Sequence, residues 1–365
     1  MPRQRILDSH IHLWPASAAN PSSHAWMTPG AHLAKQYSVS DYLSASTSPD
    51  AVVEGFVYVE TDRRVGGAGD DNGPSENLEA WAEPLEELRW LRRIVEGTPE
   101  EAEGFSPGDG RLMKGIVAWA PLDRGPDVFE EYVAKAREVA GEETWGRVKG
   151  FRFLLQGIKE EATLRELVLG EGFVGALRRF RGEGRDSSFD VGVDMRGAGV
   201  WQLEVAAEMI VKVNEGMEKN GVRFILNHLC KPSLEDDVGD DNRDWYRWCA
   251  AITRFAGMHN VYMKLSGGFS EMEDQNPSHP MPITKVVTKM RPWLSHLFTH
   301  FPHSRILFGS DWPVCNVRGP GDELSWKHWR GVVEQILEEY NLSEREKNRI
   351  WYGTAVEAYR LDMSH

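Results

Sequence analysis

The chain of 365 residues is 41% hydrophobic and 27% charged, which is ordinary for a globular protein and excludes a disordered or fibrous architecture. Its 42 basic and 56 acidic residues leave a formal charge of −14, which opposes binding to nucleic acid or to an anionic membrane surface. Three cysteines without a C-x-x-C pair argue against both a disulfide framework and a thiolate zinc site.

Eight strand-like runs recur along the chain, and most are separated by longer stretches with helical spacing, of which residues 200–220 are a clear example. This alternation is typical of βα units around a parallel sheet. The predicted strands cover residues 5–14, 52–60, 112–122, 147–156, 188–195, 222–229, 260–267 and 304–312.

The first predicted strand favours a closed barrel over an open, doubly wound sheet. An open sheet of that kind should carry a glycine-rich phosphate turn after its first strand, whereas this strand ends in His10-Ile11-His12. Eight strands in a chain of this length match one (β/α)₈ TIM barrel, an α/β fold. We therefore predict a single domain over residues 1–365.

The segment from 62 to 110, after the second strand, contains 13 acidic and 5 basic residues and so carries more than half of the net charge. We predict that it is a solvated helical and loop insertion. Leu85, Leu88, Leu91 and Val95 recur at helical spacing, which predicts a helix over 77–97 packed on the outside of the barrel.

A second long segment, 267–282, follows the seventh strand. It is polar and is interrupted by proline and glycine, which is typical of a functional surface loop. We predict that it lies over the mouth of the barrel as a lid.

The end of the first strand carries the first candidate metal ligands. Alternate residues of a strand share a face, so Asp8, His10 and His12 are expected on one side and Ile11 on the other. Two imidazoles that converge on one point suit zinc and related divalent ions.

Further ligand types stand at the ends of other strands. His228 closes the sixth strand and Asp311 closes the eighth. In a (β/α)₈ barrel these carboxyl ends face one mouth, where active sites are found. We therefore predict a metal centre formed by His10, His12, His228 and Asp311, although a His-x-His pair can arise by chance and His228 alone is also compatible with a core position bonded to backbone.

Seven more residues at or near strand ends are candidate substrate-binding groups. A guanidinium holds carbonyl or anionic oxygens, carboxylates accept hydrogen bonds from hydroxyls, and indoles stack on sugar rings. This mixture, poor in cations, favours an uncharged polyol over an anionic ligand. The candidates are Arg152, Glu60, Asp194, Lys264, Trp14, Trp119 and Trp312.

Four segments together resemble the amidohydrolase superfamily. They are Asp8-Ser9-His10-Ile11-His12, Asn227-His228-Leu229-Cys230-Lys231-Pro232, Lys264-Leu265-Ser266-Gly267 and Gly309-Ser310-Asp311-Trp312-Pro313. Within the superfamily they are most similar to the branch that contains sugar-acid lactonases and 2-pyrone-4,6-dicarboxylate lactonase. The long insertions and the 14 tryptophans are most similar to the L-rhamnono-γ-lactonases of that branch.

The resemblance implies a hydrolase that opens a sugar-acid lactone, with L-rhamnono-1,4-lactone or a related aldonolactone as the expected substrate. It implies one divalent cation at His10, His12 and His228, zinc in the first instance and manganese as an alternative. Asp311 would ligate the cation or act as general acid and base, with His228 as a second catalytic residue. Since the fourth and fifth strands lack the bridging ligands of two-metal relatives, a binuclear centre is not expected. Metal-independent hydrolysis, which some relatives perform, stays open.

Two rival functions fit part of the same pattern. A metal-dependent decarboxylase of the superfamily shares the barrel, the paired histidines and the aspartate of strand eight. A non-catalytic barrel that binds a sugar acid would also keep a polar mouth, but loss of catalysis would tolerate loss of His10, His12 or Asp311, and all are present.

The ends of the chain carry no targeting pattern that we recognise. Residues 1–10 pass from a basic start into a strand-like run without the apolar region of a signal peptide, and no later window reaches the apolar length of a membrane span. We expect a cytoplasmic monomer or homodimer whose partner is a small-molecule lactone, not nucleic acid or a membrane.

Overall fold

A computed structural model describes residues 3–66, 78–182, 185–217, 220–235, 238 and 241–363. Eight parallel strands form one sheet in chain order, as predicted. They are β1 (Gln4–Ile11), β2 (Ala51–Val59), β3 (Met113–Trp119), β4 (Val148–Arg152), β5 (Ser188–Val191), β6 (Arg223–Leu226), β7 (Val261–Leu265) and β8 (Ile306–Phe308).

The sheet closes where β1 meets the end of β8. The Asp311 amide donates to the His10 carbonyl at 2.9 Å, and the His12 amide donates to the Trp312 carbonyl at 2.7 Å. The predicted (β/α)₈ barrel is therefore confirmed. Closure also brings residues 10–12 and 311 together, although they lie about 300 positions apart in the chain.

Helices surround the barrel and connect its strands. Those before β5 are α1 (Val39–Ser46), α2 (Ala82–Glu96), α3 (Pro126–Trp145), α4 (Glu161–Leu169) and α5 (Glu171–Arg178). The later ones are α6 (Trp201–Asn214), α7 (Arg243–Ala256), α8 (Ile283–His300), α9 (Ser325–Glu339), α10 (Glu344–Asn348) and α11 (Thr354–Tyr359). None of these described helices is both long enough and apolar enough to cross a bilayer.

The strand residues divide between two cores, as the period of two requires. Aromatic residues such as Phe56, Phe151 and Phe224 pack outward against the helices. A smaller inner cluster, which includes Leu7, Val117, Ile225 and Leu307, fills the barrel and contacts α11. Helix α11 thus closes the amino end of the barrel and leaves the carboxyl end for a site.

The predicted helix of the acidic segment 62–110 is confirmed as α2. Its Leu85, Leu88 and Leu91 are buried, because they form one face that packs in the main core. Helix α2 is also the connection between β2 and β3 that a βα barrel requires. In the described part of the segment, therefore, only the loops are an insertion. Residues 67–77 of the segment lie outside the described residues.

Candidate metal centre and catalytic cavity

Three imidazoles and one carboxylate meet at the carboxyl end of the barrel. Oδ1 of Asp311 lies 3.5 Å from Nε2 of His10 and 3.6 Å from Nε2 of both His12 and His228. Nε2 of His10 lies 3.0 Å from Nε2 of His12. All four side chains are buried. The predicted convergence on one point is therefore present in the structure.

The donor set fits one divalent cation. Ligand atoms of His10, His228 and Asp311 all lie within 4.8 Å of one another, and His12 adds a fourth donor beside His10. Neutral imidazole nitrogens with one carboxylate oxygen are the ligands that zinc accepts in catalytic sites. Among the described residues, no other such group of three or more is found.

One sequence prediction about this strand is wrong. Asp8 does not share the face of His10, because the pairing of β1 with β2 shifts register between Asp8 and Ile11. Asp8 points to the helices instead, where its Oδ2 accepts hydrogen bonds from Tyr42 Oη at 3.0 Å and Trp326 Nε1 at 2.9 Å. Such a shift in register interrupts the alternation of the two faces, which a strict period of two cannot anticipate.

The second nitrogen of each histidine has its own partner, which fixes the orientation of the ring. Nδ1 of His12 donates to the Val59 carbonyl at 2.8 Å, and Nδ1 of His228 lies 2.8 Å from Ser266 Oγ. Nδ1 of His10 lies 2.9 Å from Nζ of Lys264. Because Nδ1 of His12 carries the ring proton, its Nε2 lone pair faces the site.

Burial determines the protonation of the site. It lowers the pKa of His228 to about 3 and that of His10 well below its usual range, so both rings are neutral near pH 7, as metal ligands must be. Burial raises the pKa of Asp311, but His228 and His12 beside it outweigh that effect and keep the carboxylate anionic.

The backbone reaches this arrangement through left-handed conformations at residues that are not glycine. His228, Leu229, Cys230 and Lys231 have φ between 50° and 62°, and Asp311 has φ of 60°. Such conformations cost roughly 1–2 kcal/mol per residue and persist at functional sites when the surrounding structure enforces them. The turn after β6 thereby places His228 and Lys231 in the lining of one cavity.

Gly267 makes room for the His228 ring. Its φ is +65°, and a Cβ built there would lie 2.7 Å from Cγ and Nδ1 of His228. We expect Gly267→Ala to displace the imidazole and to lower zinc affinity by about 10-fold or more, measured by competition with a metal indicator.

Gly216→Ala is the matched control for this prediction. Gly216 has φ of +77°, but its added Cβ would meet nothing within 4 Å. Both variants therefore carry the same backbone cost, about 1 kcal/mol, and only Gly267→Ala should lose metal. Equal zinc affinity in the two variants would contradict the steric explanation.

Lys264 lies inside the barrel beneath the histidines. It is fully buried and paired with Asp190, which also accepts a hydrogen bond from Tyr359 Oη of α11 at 2.9 Å. Lys264 was predicted as a substrate-binding residue. The structure places its amine against His10 and not in the lining of the cavity.

A cavity of about 280 Å³ opens beside the four converging side chains. This volume is near the lower limit of about 300–1,000 Å³ for small-molecule sites, which favours a ligand of about one ring. The lining combines polar and apolar side chains: His12, Trp14, Trp26, Leu33, Thr61, Asp62, Arg152, Leu154, Gln156, Asn227, His228, Lys231, Asp311 and Val314.

Arg152 lines the cavity and is paired with Glu60, which was predicted to bind substrate but is buried and absent from the lining. Nε of Arg152 donates to the Glu60 carboxylate and Nη2 donates to the Glu60 carbonyl at 2.6 Å. Nη1 has no hydrogen-bond partner among the described residues, and Arg152 lines the cavity. One guanidinium nitrogen therefore remains for a ligand.

The other predicted substrate-binding residues divide into two groups. Trp14 lines the cavity. Trp119 packs edge-on against Tyr132, Trp312 is buried, and neither is in the cavity lining. Asp194 accepts a hydrogen bond from the Gly197 amide at 2.7 Å and is also absent from the lining.

Our sequence predictions missed several lining residues, including Trp26, Asp62, Gln156 and Asn227. Asn227 is 1% exposed, and neither polar atom of its amide has a partner among the described residues. Asn227 and Asp62 lie near the ends of predicted strands, and this position could have identified them as candidate lining residues. Trp26 comes from the long loop after β1, where the sequence pattern gives no such signal.

Fold and site together define a (β/α)₈ barrel with a histidine-rich centre at the carboxyl ends of its strands. The chain belongs to the amidohydrolase family, whose model matches residues 7–361.

Two curated relatives and one solved structure are similar to this chain. An L-rhamnono-gamma-lactonase of Scheffersomyces stipitis is 32% identical over 99% of this chain and 100% of its own length. An L-fucono-1,5-lactonase of Burkholderia multivorans is 27% identical over 69% of this chain and 73% of its own. The crystal structure of a Burkholderia multivorans amidohydrolase with bound zinc covers 98% of this chain and 99% of its own, with a TM-score of 0.66 and 24% identity, a likeness of fold.

Proposed function

We propose that this protein is a hydrolase that opens the ring of a sugar-acid lactone, with L-rhamnono-1,4-lactone or a related aldonolactone as substrate. The observation that carries the proposal is the convergence of His10, His12 and His228 on Oδ1 of Asp311 beside a one-ring cavity. The full-length similarity to a curated L-rhamnono-gamma-lactonase supports the choice of substrate class.

His10, His12, His228 and Asp311 would hold one divalent cation. Zinc is the first choice because three imidazoles dominate the donor set, and manganese is the alternative. A cation bound there supplies Lewis acidity to the lactone carbonyl and makes a neighbouring water more acidic. Zinc in the related amidohydrolase structure supports this choice.

Asp311 handles the protons of the reaction. Its carboxylate is anionic and central, so it can take a proton from the water that attacks the carbonyl carbon. It returns that proton to the ring oxygen as the ester C–O bond breaks, and the product is the open-chain hydroxy acid. Such acid–base assistance is typically worth about 10²–10⁴-fold in rate.

His228 acts beside Asp311 as the second catalytic residue. Its imidazole is neutral, its Nδ1 lies against Ser266 Oγ, and its Nε2 faces the Asp311 carboxylate. Its neutral Nε2 is therefore free to hold the cation beside the Asp311 carboxylate.

The cavity wall favours a neutral substrate, because among the described residues its two cations, Arg152 and Lys231, are matched by the two carboxylates Asp62 and Asp311. Arg152 offers Nη1 to a hydroxyl or carbonyl oxygen, while Glu60 balances its charge. Trp14 supplies an apolar surface. Glu60 would orient Arg152, and Lys264 would orient His10. The loops around the mouth would be supported by Asp194, Trp119 and Trp312.

The loop 267–282 stays a predicted lid. It is joined to the segment after β8, since the Gln275 amide donates to the Arg318 carbonyl at 3.1 Å. None of its residues is in the lining of the cavity that the described residues outline. A lid role therefore requires movement of the loop when substrate binds.

Metal removal tests the proposal. We expect chelation of the purified protein to lower aldonolactone hydrolysis by about 100-fold or more, because the carbonyl loses its Lewis acid, and added zinc to restore it. Acid release in a weakly buffered solution reports ring opening, and elemental analysis of the same samples reports metal content.

Two histidine variants control the chelation experiment. His12→Ala should lose both metal and activity, whereas His279→Ala, in the exposed part of the 267–282 loop, should lose neither. Full activity in metal-free protein would remove the cation and keep the hydrolase. Release of CO₂ from an aromatic acid, with no acid produced from any aldonolactone, would favour the decarboxylase.

A further inference from the structure

Trp26 is the one tryptophan among the described residues that is exposed, at 38%, and it lines the cavity. It lies in the loop after β1 and packs edge-on against Trp14, with ring centroids 5.6 Å apart. Its Nε1 donates to the Thr61 carbonyl at 3.0 Å. The indole is therefore held in place while part of it stays open to the cavity.

Thr61, which holds Trp26, is itself fixed from two sides. Its amide and its hydroxyl both donate to Oε1 of Glu87, and its Oγ1 lies 2.8 Å from Nε2 of His24. Glu87 is buried on α2, so these contacts tie the end of β2 to the outer helix. The backbone at Thr61 is thus held in place.

Asp62, the next residue, has φ of 55°, in the left-handed region. Its amide donates to Oε2 of Glu60 at 2.6 Å, and Glu60 is held by Arg152. Its carboxylate lines the cavity and has no hydrogen-bond or ion-pair partner among the described residues. An unusual backbone conformation therefore presents an unpaired acceptor to the ligand space.

We propose that Trp26 and Asp62 form a sugar-recognition subsite at the mouth of the cavity, which selects neutral polyhydroxylated rings over unsubstituted or carboxylate-bearing lactones. The lactone substrate rests on the proposed function, but recognition of the ring does not depend on its hydrolysis. Thr61 links the two residues, because its carbonyl accepts the hydrogen bond from Trp26 Nε1 and Asp62 follows it directly in the chain.

The chemistry of a sugar ring matches this pair. The C–H groups of a ring face are apolar and pack on an indole, while hydroxyls at its edge donate to a carboxylate in charge-assisted hydrogen bonds. The surrounding protein and the charge of Glu60 raise the pKa of Asp62 to about 6, so the carboxylate is mostly anionic at pH 7. Its negative charge repels a ligand carboxylate, which discriminates against dicarboxylate substrates.

The test measures binding of lactams, in which an N–H replaces the ring oxygen and which resist hydrolysis. A polyhydroxylated γ-lactam and unsubstituted 2-pyrrolidinone are titrated calorimetrically into wild type, Trp26→Leu, Asp62→Asn and Asp62→Gly. Asparagine and glycine both tolerate the left-handed backbone, so these variants remove the charge or the side chain without strain.

We expect the polyhydroxylated lactam to bind about 10- to 100-fold more weakly to Asp62→Gly, and about 10-fold more weakly to Asp62→Asn and Trp26→Leu. Binding of 2-pyrrolidinone should change less than about twofold, because it has neither hydroxyls nor a sugar face. With the corresponding lactones, KM should rise in the same order while kcat is nearly unchanged. The preference for neutral over carboxylate-bearing lactones should fall in Asp62→Asn.

Asp50→Asn and Tyr246→Leu are the matched controls, since both residues are exposed and absent from the cavity lining. The subsite would be overturned if Trp26→Leu and Asp62→Gly kept the wild-type affinity for the polyhydroxylated lactam, or if wild type did not bind that lactam detectably. It would also be overturned if the variants bound 2-pyrrolidinone more weakly by the same factor as the polyhydroxylated lactam. If lactam binding depended on the subsite but the protein hydrolysed no lactone, only the proposed function would be contradicted. If lactones were hydrolysed normally and the variants kept the wild-type affinities, only the subsite would be contradicted.

Discussion

Asp311→Asn is expected to lower lactone hydrolysis by about 10²–10⁴-fold while leaving the fold intact. Asparagine keeps the shape of the side chain but cannot take a proton from water or return it to the ring oxygen. Oδ1 of Asp311 is the atom on which all three histidines converge, so no neighbouring carboxylate among the described residues replaces it there. Initial rates of acid release, with circular dichroism to verify the fold, measure the effect.

The metal content of Asp311→Asn separates its two roles. If Asp311 acts mainly on protons, the variant should keep most of its zinc through the three histidines and still lose activity. Asp50→Asn is the same substitution at an exposed residue just before β2, at the amino end of the barrel and away from the site. This variant should be indistinguishable from wild type. Turnover at the wild-type rate in Asp311→Asn would remove this residue from the mechanism.

Lys264→Met should destabilise the protein by about 3–5 kcal/mol, because it leaves Asp190 as a buried charge without its cationic partner. Methionine has a similar length and no charge, so packing changes little. Urea unfolding measures the effect.

A double variant tests the explanation by charge. Lys264→Met with Asp190→Asn removes both charges and should recover part of the lost stability, whereas a packing defect would be at least as severe in the double variant. Lys289→Met is the surface control: its amine lies 3.5 Å from Glu273, and exposed pairs of this kind contribute about 0–1 kcal/mol. A loss in Lys264→Met no larger than in Lys289→Met would contradict the argument.

The fold and the central ligands were accessible from the sequence because both depend on short-range patterns. Alternating apolar residues bounded by turns located all eight strands, and the closed barrel follows from their number and from the helical runs between them. Strand ends on one side of a barrel meet at one mouth, so His10, His12, His228 and Asp311 were placed together without knowledge of any contact.

The details of the site were less accessible, because they depend on contacts between distant parts of the chain. The register shift in β1 turns Asp8 away from the histidines. The left-handed turn from His228 to Lys231 contains no glycine or asparagine from which it could have been predicted. Lys264 looked like a cavity residue in the pattern of β7, but the structure pairs it with Asp190 and His10 inside the barrel.

The sequence by itself determined the barrel, the four residues that converge and the family, since local periodicity and ordered motifs encode them. Only the tertiary structure decided which side chains form the wall of the cavity. Arg152, Trp26 and Asp62 come from β4, from the loop after β1 and from the end of β2, and closure of the barrel brings them to one space. Such a juxtaposition is set by packing across the whole molecule, which no local pattern records.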